Sequence, residues 1–282
     1  MPELPEVETM RRGIAAVAGC RIEDIRQPRS RLQAIQIVPR LPGFRRRAVG
    51  RTILAVGRVG KRVVLELDRA DRIVLEPRMT GLILLADAPD AAHLRLVFQL
   101  SGGAPSQLLF WDQRGLGVAR LVSPGQFLEH YGPQRLGPDA LGLTAEILRQ
   151  RLAASRRAIK VALLDQRAIA GIGNLYASEI LHRAGIHPAL ACRRLRTAQW
   201  AALDAALREV LDAAILHQGS TLRDGTYRIA RNQPGNYQVC HWVYQRHGQP
   251  CLRCGRARIV RIVQCQRSTF FCPACQRAPR GD

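Results

Sequence analysis

The chain is almost without lysine. Of its 43 basic residues 41 are arginine, and only Lys61 and Lys160 break the pattern. A bias of that size reflects coding composition, so most cationic positions tolerate arginine. The two exceptions stand out for that reason. Arginine is always charged and serves as neither base nor nucleophile, whereas lysine can lose a proton and is a compact point charge. Both lysines are candidates for roles that arginine cannot fill. The chain also lacks any uncharged apolar stretch of the roughly 18 residues a membrane span needs. Its opening, Met1-Pro2-Glu3-Leu4-Pro5-Glu6, carries acids where a secretion signal carries bases. Without such a signal, eight thinly spread cysteines do not read as a disulfide framework. There is no internal repeat and no low-complexity tract. These absences leave a cytoplasmic globular protein with no membrane partner as the expectation.

Acids are scarce as well. Asp plus Glu is 22, which leaves a formal net charge of +21 over 282 residues. An excess of that size favours a polyanion partner, because neutralising phosphates releases condensed counterions. The residues from 223 to 282 hold 11 Arg and only two acids, Asp224 and Asp282. That asymmetry points to a nucleic-acid face near the C-terminus. The length suggests one large or two medium domains, and 47% apolar residues is ordinary for a soluble fold.

Along the chain, Val7, Met10, Ile14 and Val17 recur at helical spacing after Pro5, and Gly19 is a candidate stop. Short β-type runs follow at 52–56, 62–67, 73–75, 82–85, 94–100, 108–111 and 118–122, in the rhythm of a β-sandwich or barrel. Gly132-Pro133 and Gly137-Pro138 punctuate a linker. From Thr144 the pattern turns helical, with Ile147, Leu148 and Leu152 on one face. A longer stripe of Trp200, Leu203, Leu207, Val210, Leu211 and Ala214 reads as core. Residues 219–237 are polar with Gly and Pro, and are expected to form a mobile loop.

Three motifs carry chemistry. Cys251-Leu-Arg-Cys254 and Cys272-Pro-Ala-Cys275 are separated by 17 residues. Each pair can place two thiolates on one metal, and four complete a closed zinc tetrahedron. Cys240 and Cys265 have no partner at ligand spacing and are expected to be buried thiols. Between the pairs, 259–263 reads as a strand and 269–271 as its return, which puts Arg267 at or near a cationic hairpin tip suited to a phosphate backbone. Finally, Ala170-Gly171-Ile172-Gly173-Asn174 precedes a helix-like run that includes Tyr176 and Glu179. Asn174 is expected to cap that helix, whose N-terminus can hold a phosphate. Lys160 lies on the helix before it.

The opening Met1-Pro2-Glu3-Leu4-Pro5-Glu6-Val7-Glu8-Thr9, the segment 171–179, and Gln266-Arg267-Ser268-Thr269-Phe270-Phe271-Cys272 with the four cysteines occur in that order over nearly the whole chain. Together they resemble the formamidopyrimidine-DNA glycosylase family. The sister endonuclease VIII branch is similar but typically has Gly where this chain has Leu4. The resemblance implies an α+β fold. An N-terminal β-sandwich with a leading helix would span 1–132, a helix–two-turns–helix domain with a lesion loop 133–236, and a zinc-finger β-hairpin 237–282. It implies a bifunctional DNA glycosylase and abasic-site lyase that removes oxidised purines, 8-oxoguanine and formamidopyrimidines, from damaged duplex DNA. One structural zinc, no organic cofactor, a monomer and a place in the bacterial nucleoid go with it. The alternatives are the same chemistry on oxidised pyrimidines, or a non-catalytic protein that binds damaged DNA.

By the same resemblance Pro2, freed by removal of Met1, is the nucleophile. An α-amine with an ordinary pKa near 7.8 is about 14% neutral at pH 7, against about 0.04% for lysine. It would form a Schiff base at C1′, and β,δ-elimination would follow. Glu3 would handle protons and Glu6 would orient the amine, although acids at a helix start also serve the macrodipole. Lys61 would contact phosphate near the lesion and belong to the catalytic group. Lys160 would sit near the active site, and Asn174 with Arg267 would hold the flipped nucleotide by its phosphates. Met79, Arg114 and Leu116 would fill the void left in the stack. Here the chain departs from the family, which usually has two adjacent basic residues and a Phe where Arg114, Gly115 and Leu116 stand. Glu76-Pro77 also replaces a usual His-Leu, and Gly225 an aromatic. Arg114 can still donate to an opposing cytosine.

Overall fold

The computed structural model describes residues 2–222 and 225–278. Met1, whose loss a free Pro2 amine requires, and Arg223 and Asp224 within the 219–237 segment lie outside the described residues. By its contacts the chain divides into two units. One comprises the residues up to Gly132 with Ile215–Gln238, and the other Pro133–Ala214 with the residues from Val239 on.

The first unit is a β-sandwich behind a leading helix. Helix α1 (Leu4–Gly13) opens with Pro at its second position, where the missing N–H is no loss. Leu4, Val7 and Met10 are fully buried, as is Ile14 just past its end. Each such side chain contributes about 1.5–3 kcal/mol. The helix stops at Gly13 rather than Gly19, and a 3-10 turn at Ala15–Val17 carries the buried stripe onward. Then follow β1 (Arg21–Arg26), β2 (Gln36–Val38), α2 (Leu41–Ala48), β3 (Ile53–Val59), β4 (Arg62–Leu67), β5 (Arg72–Glu76), β6 (Gly81–Leu84), β7 (Leu94–Ser101), β8 (Gln107–Asp112), β9 (Val118–Val122) and α3 (Pro124–Tyr131). One sheet has the order β1-β7-β8-β6 and the other β2-β9-β5-β4-β3. Among the described strands only β2 and β9 pair in parallel. One apolar cluster, including Ile22, Leu65, Ile73, Leu82, Phe98, Phe110 and Leu121, lies between the sheets and under α1.

The sequence pattern did not reveal β1, β2, α2 and α3. Charges interrupt β1, and α2 begins Leu41-Pro42-Gly43, which reads as a breaker. Residues 219–237, expected as a loop of the helical domain, pack with the first unit and contribute Tyr227 and Ala230 to its core.

The second unit contains α4 (Ala145–Leu152), α5 (Ile159–Leu163), α6 (Asn174–Ala184) and most of α7 (Thr197–Leu216). The Thr144 hydroxyl caps α4 by accepting from the Ile147 amide at 3.3 Å. The hairpin of β10 (Val260–Gln264) and β11 (Arg267–Phe271) turns on Cys265 and Gln266, both in the left-handed region. Cys265 is therefore exposed and Cys240 half-buried, and neither is the buried thiol the spacing suggested. Glu179, fully buried on α6, accepts the Trp242, Val243 and Tyr244 amides at 2.7–3.0 Å. Burial pushes its carboxyl up, against the pull of those three donors. This carboxylate ties the cysteine module to α6. Among the described residues no helix is long and apolar enough to cross a membrane.

Candidate functional site

The start of the chain is built around a carboxylate. Pro2 is buried, and Glu3 and Glu6 are only 4% and 3% exposed. Glu6 reaches back one turn, and its Oε2 accepts the Glu3 amide at 2.9 Å. This satisfies a donor that the helix start would otherwise leave unpaired. Its Oε1 accepts the Ser220 amide, also at 2.9 Å. The approach is close because the neighbour is Gly219. Its φ is +76°, and a Cβ there would come within 2.9 Å of Glu6 Cγ and Oε1. Tyr227 completes this wall, its hydroxyl donating to the Gln218 carbonyl at 3.0 Å. Burial, and then the Glu6 charge, raise that phenol well above its ordinary range. Glu6 thus positions both the second peptide of the chain and the segment from Gly219 on.

Two residues further on, Glu8 faces three guanidinium groups. Arg11 and Arg12 pair with it at 2.8 Å, and Arg58 of β3 at 3.1 Å. Burial raises the Glu8 carboxyl, but the arginine hydrogen bonds outweigh it and hold it at about 2. Arg58 also donates to the Gly60 carbonyl at 2.7 Å. Gly60 and Lys61 are the two-residue turn between β3 and β4. The turn that carries Lys61 is therefore anchored to the helix that carries Glu3 and Glu6.

Met79, Arg114 and Leu116 are brought together by topology. Residues 77–80 cross from β5 in one sheet to β6 in the other, and 113–117 cross from β8 to β9. Glu76 is in register with Val118 and Gly81 with Asp112, so the two corners lie side by side. Asp112, fully buried, locks them. Its Oδ1 accepts from the Thr80 hydroxyl at 2.5 Å and its Oδ2 from the Gly117 amide at 2.7 Å. The Arg114 amide donates to Thr80 Oγ1 at 3.0 Å. Arg95, itself buried, donates to the Asp112 carbonyl at 2.8 Å. Met79 and Leu116 are each 38% exposed, and Arg114 is exposed. Thr80 adjoins Met79 and Asp112 lies two residues before Arg114, yet their role as a lock was not legible in the sequence.

Two of the departures noted in the sequence have structural counterparts. Gly115 has φ +63°, and a Cβ on it would lie 2.2 Å from the Gln33 carbonyl oxygen. The backbone of residue 33 thus occupies the space a larger residue would need. Glu76 is buried, accepts from the Tyr131 hydroxyl at 3.2 Å and pairs with Arg62 at 3.1 Å. Burial and the Glu76 charge push the Tyr131 phenol up to about 12.

In the second unit, α6 starts one residue earlier than the capping expectation. Gly173 is the cap and Asn174 the first helical residue, with its side chain turned away from the helix amides. Asn174 Oδ1 accepts from Lys160 Nζ at 2.6 Å, and its Nδ2 donates to the Ser268 carbonyl at 3.0 Å. Lys160 is 0% exposed. Its ammonium also donates to Thr269 Oγ1 at 2.7 Å and the Ser268 carbonyl at 3.3 Å. The lysine therefore joins α5, the N-terminus of α6 and β11, next to the exposed Arg267. It faces protein acceptors and no solvent. Its roles need a tetrahedral ammonium in a closed space, which a planar guanidinium does not match.

The four cysteines meet. Their sulfurs lie within 4.8 Å of one another, with Cys251–Cys275 at 3.9 Å and Cys254–Cys272 at 3.7 Å. A zinc ion with arms of about 2.3 Å to four thiolates has tetrahedral edges near 3.8 Å. The Ala257 and Arg256 amides pull the Cys254 thiol down to about 6, whereas burial pushes the Cys272 and Cys275 thiols up. The quartet fits a closed structural metal site.

Comparison with known proteins agrees with this geometry. Residues 1–119 match the model of the formamidopyrimidine-DNA glycosylase N-terminal domain. Residues 136–226 match the formamidopyrimidine-DNA glycosylase H2TH domain. Residues 248–278 match the zinc finger found in FPG and IleRS. The chain is 43% identical to the formamidopyrimidine-DNA glycosylase of Chloroflexus aggregans over 98% of each chain. It is 38% identical to that of Bacillus subtilis, over 98% of this chain and 99% of the other. The MutM (Fpg) protein of Thermus thermophilus superposes with a TM-score of 0.83 at 38% identity, covering 98% of both chains. The Lactococcus lactis Fpg in complex with abasic-site DNA gives 0.84 at 31% identity, over 98% of this chain and all of the other.

Proposed function

The chain belongs to the formamidopyrimidine-DNA glycosylase family, and from that premise we propose that it excises oxidised purines from duplex DNA through a Schiff base on Pro2. The observation that supports this most directly is the buried Glu3–Glu6 pair around the second residue, with Glu6 fixing the Glu3 amide. Once Met1 is removed, the Pro2 nitrogen is a secondary amine. It attacks C1′ of the flipped nucleotide, the C1′–N bond breaks, and the base leaves with a proton. The adduct opens to an iminium as the ring oxygen takes a proton from Glu3. The iminium acidifies C2′. Loss of a proton there expels the 3′-phosphate, and a second elimination expels the 5′-phosphate. Lys61 stabilises phosphate beside the lesion.

The other unit supplies the grip. Arg267 and the N-terminal end of α6 at Asn174 hold phosphates, where the macrodipole favours negative charge. Lys160 acts through Asn174 and β11 as a positioning residue. Met79, Arg114 and Leu116 enter the space the extruded base leaves. Zinc, held by Cys251, Cys254, Cys272 and Cys275, supplies no chemistry here and fixes the hairpin that carries Arg267. Lactococcus lactis Fpg in complex with Fapy-dG DNA is the precedent for the substrate class.

The test is borohydride trapping on a duplex with 8-oxoguanine opposite cytosine, with intact mass and Pro2→Gly alongside. A covalent adduct from protein lacking Met1, sharply reduced in the variant, is the expected result. An adduct on a thymine-glycol duplex only moves the substrate to oxidised pyrimidines. No adduct on either lesion or on an abasic site, from Met1-free protein, leaves a binding protein without catalysis.

A further inference from the structure

Beside the cysteine quartet sits a histidine that the catalytic reading does not use. His182 lies on α6, 1% exposed. Its Nε2 is 3.6 Å from the sulfur of Cys251. Its ring stacks on Trp242, with centroids 6.1 Å apart and planes 29° from parallel. Its Nδ1 is buried with no hydrogen-bond partner. The ring has two neutral tautomers. With the hydrogen on Nδ1, a buried donor would be unpaired, and the Nε2 lone pair would face sulfur lone pairs. With the hydrogen on Nε2, only an acceptor is left unpaired and the sulfur receives a donor. The unpaired buried donor and the opposed lone pairs both disfavour the first tautomer, so the second is favoured on both counts.

We propose that the Nε2–H of His182 donates to the Cys251 thiolate, so that α6 supplies an outer hydrogen-bond shell to the metal site. Two of the other sulfurs draw donors from backbone. Cys254 faces the Ala257 and Arg256 amides, and Cys272 the Cys275 amide at 3.5 Å. Four thiolates around one divalent cation carry a net double negative charge, and N–H donors disperse it. The rest of the quartet is fastened to the same helix end. Arg253, between the first two cysteines, donates to the His182 and Arg183 carbonyls, each at 3.2 Å. Gln276, next to Cys275, donates to the Ile186 carbonyl at 2.8 Å and accepts the Cys272 amide at 3.0 Å. Metal retention and the C-terminal turn of α6 are coupled through these contacts, and His182 is the one that touches a ligating sulfur.

This inference rests on the zinc reading, and the two fail differently. Full-length protein that arrives without metal and takes up neither zinc nor cobalt defeats the zinc reading. For His182, the measurements are zinc transfer to a chromogenic chelator and the sulfur-to-metal charge-transfer bands of the cobalt(II)-substituted protein. His182→Phe keeps the ring stack and removes the donor. Zinc release about tenfold faster is expected, in line with the usual cost of losing an outer-shell partner, with the bands moved to lower energy. His182→Gln, which restores an amide donor, is expected to return both toward wild type. Unchanged bands and release in His182→Phe overturn the proposal. So does release that follows melting temperature across both variants irrespective of the donor.

Discussion

The start of the chain in the first unit and the Asn174 cluster of the second solve the same positioning problem with opposite charges. Around Pro2, carboxylates do the positioning: Glu6 holds amides of residues 3 and 220, and Glu8 gathers three arginines. Around Asn174, a buried ammonium does it, with one side-chain carbonyl, one hydroxyl and one backbone carbonyl as acceptors. The first arrangement depends on carboxylates remaining ionised. The second depends on the fit of its donors to acceptors that hold no charge at all. Acid therefore separates the regions, and so does exchanging lysine for arginine.

The largest effect is expected from acid on α1. The Glu8 carboxyl sits at about 2 in the folded chain, against an ordinary value of 4.5. A lowered carboxylate contributes stability that is complete above the unfolded value and disappears as pH falls toward the folded one. The difference is on the order of 3 kcal/mol, most of it lost between pH 4.5 and 2.5. Protection of α1 amides against hydrogen exchange should fall over that window. Arg58→Gln should raise the Glu8 value and shrink the dependence. Equal pH dependence in wild type and variant would mean that Arg58 contributes nothing to the cluster.

Next in size is Lys160→Arg. A lysine that met phosphate directly would be replaced by arginine with little loss. A lysine closed in by Asn174, Ser268 and Thr269 would not, since the larger planar group leaves acceptors unpaired at about 1–3 kcal/mol. Duplex affinity should fall roughly tenfold or more. KM should rise, with kcat for trapping at Pro2 little changed and the salt dependence kept. Wild-type affinity in this variant would make Lys160 an ordinary phosphate cation.

The scarcity of lysine singles out Lys160 but does not say what it does. Composition can flag a residue that arginine cannot replace; only the fold shows whether the reason is chemistry or fit. The quartet was legible in full because ligand spacing is local. Strands β4 and β9 were read to the residue because apolar runs bounded by turns carry their own limits. What escaped depended on distant partners. Asn174 has the composition of a cap but is drawn off by a lysine 14 positions away. Residues 219–237 are polar enough for a free loop, yet Glu6 and Tyr227 bind that segment to α1. Asp112 and Thr80 lock two corners that are 32 residues apart in sequence.

The smallest expected effect sharpens the comparison within the first unit itself. Of the two departures at the β8–β9 corner, only Leu116 can be altered in place. Gly115 has a positive φ and the Gln33 carbonyl against it, so a longer residue there must move the backbone. Leu116 is partly exposed on a corner held by Asp112, and Leu116→Phe enlarges a side chain with open space before it. Stability should stay within about 0.5 kcal/mol, as for other surface changes. An aromatic face adds roughly 0.5–1 kcal/mol of stacking against a base, so discrimination between cytosine and adenine opposite the lesion should change about two- to fivefold in kcat/KM. The rate on a single-stranded abasic oligonucleotide, which has no opposing base, should not change. A variant that alters both rates equally would place Leu116 at the chemistry of Pro2 instead of in the stack.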